Sequence, residues 1–369
     1  AVKLSRLDAV FSLRQAIMGE LDISELYLDG LVVAIFRGEQ GGFKAQFGAA
    51  GKEMEYAAKP SNLKLEFDRI FETSALNKFR SLTVQNVTLN YLDRRSSRNW
   101  IVDGARLFVT KDGNRLSVRS DLALLTGGAD VSIIEADFNT ELGNLKVDFG
   151  IKFSDLQADI LASQSKGFAW LAALEAPLSG ALRGSLDKDG KLGPINTTLD
   201  ISTGALQPDI SSKPLKFSSL KTYFTYYPIK QALDFDNVVL NSTDLSFTAE
   251  GRAYFEAGNK FEGPLIGQFQ LNNISVNPRG YYETPKEFDF AALDFRLLLD
   301  PFEMQLKQIY LSDVANNLDA RGFARFATEK SGWSVSLQAQ LEKLNYEGLL
   351  AYWPAGVNPT LHTWIKANM

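Results

Sequence analysis

The sequence predicts a mainly β protein: an elongated, curled antiparallel sheet built from meandering repeats, forming a trough-like groove, with a few short helices. Three observations carry that expectation. The first is strict alternation. In the run 145–153 (LKVDFGIKF), Leu145, Val147, Phe149, Ile151 and Phe153 are apolar, while Lys146, Asp148, Gly150 and Lys152 fall between them. Side chains alternate across a strand, so this stretch has one apolar and one polar face. The same period recurs at Leu245, Phe247, Ala249, Gly251, Ala253 and Phe255, at Phe261, Leu265, Phe269 and Leu271, and from Trp333 to Leu341.

The second observation is a repeat. Residues 235–255 align without gaps on 306–326, an offset of 71 positions. Val238 falls on Ile309, Leu240 on Leu311, Phe247 on Leu318, Ala249 on Ala320, Gly251 on Gly322 and Phe255 on Phe326. After a slip of one residue, Leu271 and Ile274 fall on Leu341 and Leu344. Similarity at a fixed period marks a supersecondary unit added more than once, here three or four meandering strands. The third is the absence of any linker. At 369 residues the length suggests two or three domains, yet no Pro-rich, Ser/Gly-rich or like-charged run divides the chain. One continuous groove over 1–369 is therefore expected, with N-terminal strands over 1–153, a helical interruption over 154–180, repeated strands over 181–345 and C-terminal helices over 346–369.

Taken in order, Val2–Val10 reads as a strand, and Ser12 caps a short helix carrying Leu13, Ala16 and Ile17. Segments 21–28 and 31–37 are expected to form a hairpin through Asp29-Gly30. Strands follow at 43–47 and 63–67, and 74–79 is at most a short helix. Strands at 84–92, 101–110, 116–125, 131–138 and 145–153 come next. Ser154 and Asp155 read as the cap and first turn of a helix with Leu156, Ile160 and Leu161 on one face. A second short helix is expected over 168–174. Strands resume at 181–186 and 195–202, and from 216 to 344 they are nearly continuous. Asn358-Pro359 starts a last helix with Leu361, Trp364 and Ile365.

Composition narrows the chemistry. The net charge of −5 is spread along the chain, which argues against nucleic acid as a partner, because that needs a clustered basic face. With no cysteine there is no disulfide and no thiol chemistry. No apolar run approaches the ~18 residues of a membrane span, and no signal peptide is visible at Ala1. The single histidine, His362, excludes a His-based triad and a His-rich metal site, and Gly-x-Ser-x-Gly is absent. Asp187-Lys188-Asp189-Gly190 begins like a calcium loop but lacks the bidentate Glu, so a hairpin turn is expected there. Gly48-Ala49-Ala50-Gly51-Lys52 lacks the leading Gly and the trailing Ser/Thr of a phosphate loop. Arg94, Arg95 and Arg98 suit a solvated loop first, and otherwise contact with lipid phosphates or an acidic partner. Tyr223, Phe224, Tyr226 and Tyr227 suit either strand packing or a stacked ligand. No cofactor and no catalytic residue is expected.

The order of these segments resembles the AsmA-like proteins of the bacterial envelope, most closely the YhdP branch. The stretches that carry the resemblance are 13–21 (LRQAIMGEL) with 26–30 (LYLDG), then 177–180 (PLSG) with 186–192 (LDKDGKL). The ending adds 349–354 (LLAYWP), Asn358-Pro359-Thr360 and Trp364-Ile365. It runs over essentially the whole chain. The resemblance implies a bridge-like lipid-transfer protein: a hydrophobic β-groove in the periplasm that moves phospholipid between inner and outer membranes. It also implies an inner-membrane helix outside this chain and possible envelope protein partners. The residues expected to line the groove are Leu145, Val147, Phe149, Ile151, Phe153, Leu245, Phe247, Phe255, Phe269, Val335, Leu337 and Leu341, with the helix around 156–161 as a plug. The rival expectation is a closed β-sandwich acting as an assembly scaffold. A carbohydrate-active enzyme, which needs two close carboxylates, ranks last.

Overall fold

The computed structural model describes residues 4–18, 22–39, 43–47, 54–56, 60–71, 73–94, 98–125, 131–163, 171–208, 212–256, 263–278, 282–299, 301–329, 332–343, 351–353 and 358–368. The chain is mainly β and divides into two compact units. Unit 1 is Ala1–Leu156 with Gly180–Ile195; unit 2 is Gln157–Ser179 with Asn196–Met369.

Unit 1 opens with β1 (Arg6–Phe11), α1 (Leu13–Ile17), β2 (Ile23–Asp29), β3 (Val32–Arg37), β4 (Phe43–Phe47), β5 (Met54–Tyr56) and α2 (Pro60–Phe71). Five long strands follow: β6 (Ser81–Asp93), β7 (Arg98–Asp112), β8 (Arg115–Leu125), β9 (Val131–Glu141) and β10 (Val147–Gln157). These five form an antiparallel meander in sequence order. β1 pairs antiparallel with β2.

Here the structure corrects an expectation. β2 and β3 do not form a hairpin. Both run parallel to β6, β2 along Ser81–Gln85 and β3 along Thr88–Asp93. Asp29-Gly30 is a kink inside one extended run. Gly30 takes φ +72° and its N–H donates to the Gln85 carbonyl at 3.1 Å. Asn86, at φ +53°, answers it across the ladder and donates Nδ2 to Asp29 Oδ1 at 2.7 Å. A left-handed glycine serves a bulge as well as a turn; the long free edge of β6 decides between them. These two pairings make the sheet mixed.

A second correction lies at 63–67, expected as a strand and found inside α2. Leu63, Leu65 and Phe67 fit period two, but Leu63, Phe67 and Phe71 also fit the i, i+4 spacing of a helix. Pro60 at the first helical position favours the helix.

Next come α3 (Ala158–Ala162), β11 (Leu174–Glu175), β12 (Pro177–Leu186), β13 (Ile195–Ile201), β14 (Gly204–Leu206) and β15 (Leu215–Phe217). β10 continues through Ser154 to Gln157, so α3 starts later than its expected cap. The turn after β12 is local: Asp187 Oδ1 accepts from the N–H groups of Asp189 and Lys191, each at 2.9 Å, and Gly190 takes φ +75°. β11, β14 and β15 form a small separate sheet in unit 2.

The bulk of unit 2 is β16 (Ser219–Tyr227), β17 (Ala232–Asn241), β18 (Leu245–Phe255), β19 (Leu265–Val276), β20 (Lys286–Leu299), β21 (Phe302–Asp313), β22 (Leu318–Glu329) and β23 (Gly332–Lys343). Each pairs antiparallel with the next. The chain closes with α4 (Pro359–Asn368), whose Leu361 N–H is capped by Asn358 Oδ1 at 3.1 Å.

The repeat is visible in the ladders. Bulges fall at Phe235/Val238 and at Leu306/Ile309, 71 residues apart. The register of β18 on β19 returns in β22 on β23: Ala249↔Leu271, Gly251↔Phe269 and Phe255↔Leu265 become Ala320↔Leu341, Gly322↔Ala339 and Phe326↔Val335. β21 on β22 is shifted by two residues relative to β17 on β18, an even number that keeps the same face inward.

Candidate functional site

Register places the apolar residues of unit 1 in rows across the strands. One row runs Phe149, Phe138, Val118, Val109, Leu82, Leu26, Ala9; its neighbour runs Ile151, Ala136, Ser120, Leu107, Val84, Leu28, Leu7. At one end this face is covered. Phe71 at the end of α2 and Phe79 pack with Val109 and Leu116, all four buried, and the two rings lie 5.1 Å apart. Lys64 and Asp68 of α2 form a buried ion pair, and Lys64 Nζ also reaches the Glu141 carbonyl at 3.1 Å. Away from α2 the face opens: Val147, Phe149 and Ile151 are half-buried and Phe138 is exposed, while Phe153 is buried. Leu145 lies just before β10 and is half-buried. The Phe149 ring also lies on Gly184 of β12, where a Cβ would come within 2.7 Å of Phe149 Cζ.

Unit 2 builds its face around aromatic rings. Phe224, Phe235, Phe269 and Phe295 form a chain with centroids 5.4, 5.3 and 5.6 Å apart. Two glycines make the approach possible. A Cβ at Gly251 would lie 2.9 Å from Phe269 Cγ, and one at Gly267 2.4 Å from Phe295 Cε1. The rings cover the bare backbone and fill the space that a second side chain would take. The row continues from Phe269 to Leu293, Ile309, Gly322 and Ala339. Phe255, Leu265, Leu297, Met304, Phe326 and Val335 run beside it. Phe247 sits opposite Leu240, and Leu245 pairs with Val276 at the far end.

The small residues of this face, Ala249, Ala253, Ala291 and Ala324, are buried between their neighbours, and the large ones are half-buried. On β23, Val335, Leu337 and Leu341 are 60%, 68% and 51% exposed. The opposite face is polar and carries cross-strand ion pairs. Arg252 Nη2 lies 2.9 Å from Asp234 Oδ2 and Arg325 Nη2 2.6 Å from Glu303. Hydrogen bonds from Arg325 and Gln305 hold the Glu303 carboxyl below its ordinary range.

One contact fixes the curvature of this sheet. Trp333, edge-on to Phe302 at 5.7 Å, donates Nε1–H to the Lys213 carbonyl at 2.8 Å. Lys213 lies five residues before Ser218, which is hydrogen-bonded at the start of β16. β16 and β23 are seven strand steps apart in the ladder. Laid flat, seven steps span about 34 Å, whereas five extended residues reach about 17 Å. The sheet of unit 2 therefore curls, and the strap before β16 lies on its apolar side.

At another corner Tyr352 stacks on Phe288 at 5.5 Å and donates its hydroxyl hydrogen bond to the buried Asp313. Asn316 Nδ2 also donates to Asp313, at 2.7 Å. A cavity of about 460 Å³ opens here, lined by Phe288, Asp289, Asp313, Asn316 and Tyr352 among others. Burial and the Asp313 charge push the Tyr352 hydroxyl well up from its ordinary value. Burial works against the Asp313 carboxylate, yet hydrogen bonds from Tyr352 and Asn316 hold its pKa below the usual range.

Of the twelve expected lining residues, five belong to unit 1 and seven to unit 2. Phe224, Phe235, Leu293, Phe295, Leu306 and Ile309 were not among them. Bulges hid some of these, because a bulge turns a spacing of two into three, as at Phe235/Val238 and Leu306/Ile309. α3 packs on β11, with Ala158 and Ile160 buried. Arg94 lies over the Phe36 ring at 5.9 Å; Arg95 and residues 48–52 are outside the described residues. His362 is half-buried in α4. Among the described residues no His, Asp and Glu side chains cluster to hold a metal ion, and no helix is long and apolar enough to cross a membrane.

Comparison with protein-family models, curated proteins and solved structures gives no match.

Proposed function

We propose that this chain holds phospholipid acyl chains on its apolar β-faces, as a periplasmic segment of a bridge-like lipid-transfer protein working between two membranes. The observation that supports the reading is the face of unit 2. Phe235 of β17, Phe269 of β19, Leu293 and Phe295 of β20 and Ile309 of β21 lie along one face and stay half-buried. Soluble monomers rarely leave long contiguous apolar strips to water, so a half-buried row of this kind favours a cover. Lipid suits it physically. At about 0.8 kcal/mol per methylene, two long acyl chains cost about 20 kcal/mol or more to hold in water, and an apolar strip recovers much of that without directional bonds. Headgroups stay in solvent, and nothing in such a site needs to react.

Native mass spectrometry of the purified chain, followed by organic extraction, tests the reading. Phospholipid should co-purify in a fixed ratio. Phe269→Asp and Phe149→Asp, each placing a charge on one apolar face, should lower that ratio while circular dichroism keeps its β signature. A stable, monodisperse, lipid-free chain would sink the proposal.

A further inference from the structure

The apolar face of unit 2 carries a buried hydroxyl that the fold leaves unsatisfied. Register puts Thr222 of β16 opposite Val238, and the row runs on through Ala249, Leu271, Ala291 and Leu311. Leu220 and Phe224, paired with Leu240 and Phe235, stand on either side of it along the strand. Thr222 is 7% exposed, and among the described residues its Oγ1 has no hydrogen-bond partner. Elsewhere such groups are paired. Buried Ser132 donates to the Asp155 carbonyl at 2.9 Å, and Thr225, three residues after Thr222, donates to Asn196 Oδ1 at 3.0 Å. An unpaired buried hydroxyl is costly, because it has given up water and gained nothing in exchange.

The internal repeat shows that packing does not require a hydroxyl at this place. The pairs Thr222↔Val238 and Phe224↔Phe235 return 71 residues later as Leu293↔Ile309 and Phe295↔Leu306. The bulge at Tyr223/Phe224 returns with them, at Asp294/Phe295. Thr222 therefore stands where Leu293 stands, and the second copy fills that place with an apolar side chain.

We infer that Thr222 is the polar contact of the ligand site, its hydroxyl donating to the carbonyl oxygen of an ester on an apolar chain laid along this face. The inference rests on the lipid reading and narrows it: the face takes acyl esters ahead of ether-linked chains of equal length. An ester carbonyl accepts a hydrogen bond and lies where the chains of a diacyl lipid begin. Bonded to Thr222, it lets the lipid bury its first methylenes without stranding an oxygen in apolar surroundings. Leu220, Phe224 and Val238 are half-buried, so a chain entering among them reaches the hydroxyl and keeps water from it.

The test uses the full chain and two probes, a short-chain diacylphosphatidylcholine and its dialkyl ether analogue, titrated by calorimetry. The ester should bind about fivefold more tightly, the worth of one net hydrogen bond. Thr222→Val keeps the shape and drops the hydroxyl. It should bring the ester down to the affinity of the ether, leave the ether unchanged, and leave the lipid-free melting temperature unchanged or higher. Thr222→Ser should keep the preference. Equal binding of the two lipids by the unaltered chain, or a preference that survives Thr222→Val, would overturn the inference and leave the lipid reading standing. A lower lipid-free melting temperature in Thr222→Val would show that the hydroxyl is already partnered, and would overturn it too. Binding of neither lipid would overturn the lipid reading and this inference with it.

Discussion

Unit 1 and unit 2 carry the same alternation of apolar and polar residues and treat the resulting face differently. In unit 1 a helix closes one end: α2 brings Phe71 over the sheet, and with Phe79 it buries Val109 and Leu116 to 2% and 1% exposure. In unit 2 the strands themselves do the filling. Phenylalanine rings lie over glycines, and the large side chains remain half-buried along the row. The difference teaches that period-two patterning specifies a one-faced sheet and leaves its cover open. A packed end becomes structural core. An uncovered stretch becomes available to a ligand.

The most severe way to break the comparison is to remove the helical cover. Phe71→Ala should cost about 3–5 kcal/mol, the range for deleting a buried ring. Hydrogen exchange should speed in α2 and in the β7–β8 hairpin around Val109 and Leu116, while β17–β22 stay protected. If β17–β22 loosen equally, the two units do not fold as separate cooperative bodies.

Overfilling unit 2 comes next. Gly267→Val would drive a side chain into Phe295 and toward the Arg252 carbonyl, 2.9 Å from the ideal Cβ. The expected loss is about 1–3 kcal/mol, read as a lower melting temperature with the unit 1 signals unchanged. An unaffected melting temperature would mean that the rings of this face move freely.

Much of this was legible in the sequence. Alternation in 145–153 and 245–255 marked the strands β10 and β18, and the 71-residue offset marked equivalent strands. The rest was hidden for identifiable reasons. Asp29-Gly30 encodes a left-handed backbone, which suits a hairpin or a bulge; the choice was made by β6, more than fifty residues later. Leu63, Leu65 and Phe67 fit two periods at once. Phe235 and Leu306 belong to the face, but the bulges after them break the count. The covering elements are non-local. No local pattern announces that Trp333 will meet Lys213, 120 residues away, or that Tyr352 will meet Asp313.

The Tyr352 corner gives a smaller effect with a pH signature. Tyr352→Phe leaves the ring on Phe288 but removes a donor from a buried carboxylate, at a cost of about 1–3 kcal/mol. The folded pKa of Asp313 is lowered, so its contribution to stability is present above the unfolded value of about 3.9 and is lost as pH falls through the folded pKa. Acidification below about pH 4 should therefore increase exchange at 351–353 before the ladders melt. The tyrosine shift has the opposite sign: its pKa is raised, so its contribution is complete below the unfolded value of about 10 and fades as pH rises through the folded one. Tyr352→Phe should flatten the alkaline limb and weaken the acid one. Two unchanged limbs would place the pH dependence elsewhere.

The least costly change concerns the polar face, where the units are alike. Arg325 and Glu303 are 46% and 23% exposed, and Arg106 and Asp121 of unit 1 are 56% and 32% exposed. Exposed pairs gain little, because solvent screens them and holding two long side chains costs entropy. Arg325→Ala and Arg106→Ala should each lower the melting temperature far less than Gly267→Val does, and the loss should shrink further in 1 M salt, where the Debye length is about 3 Å. If either variant costs as much as Gly267→Val, the polar face is helping to set the register. In that case the bulges and glycines would not suffice to hold the apolar rows in line.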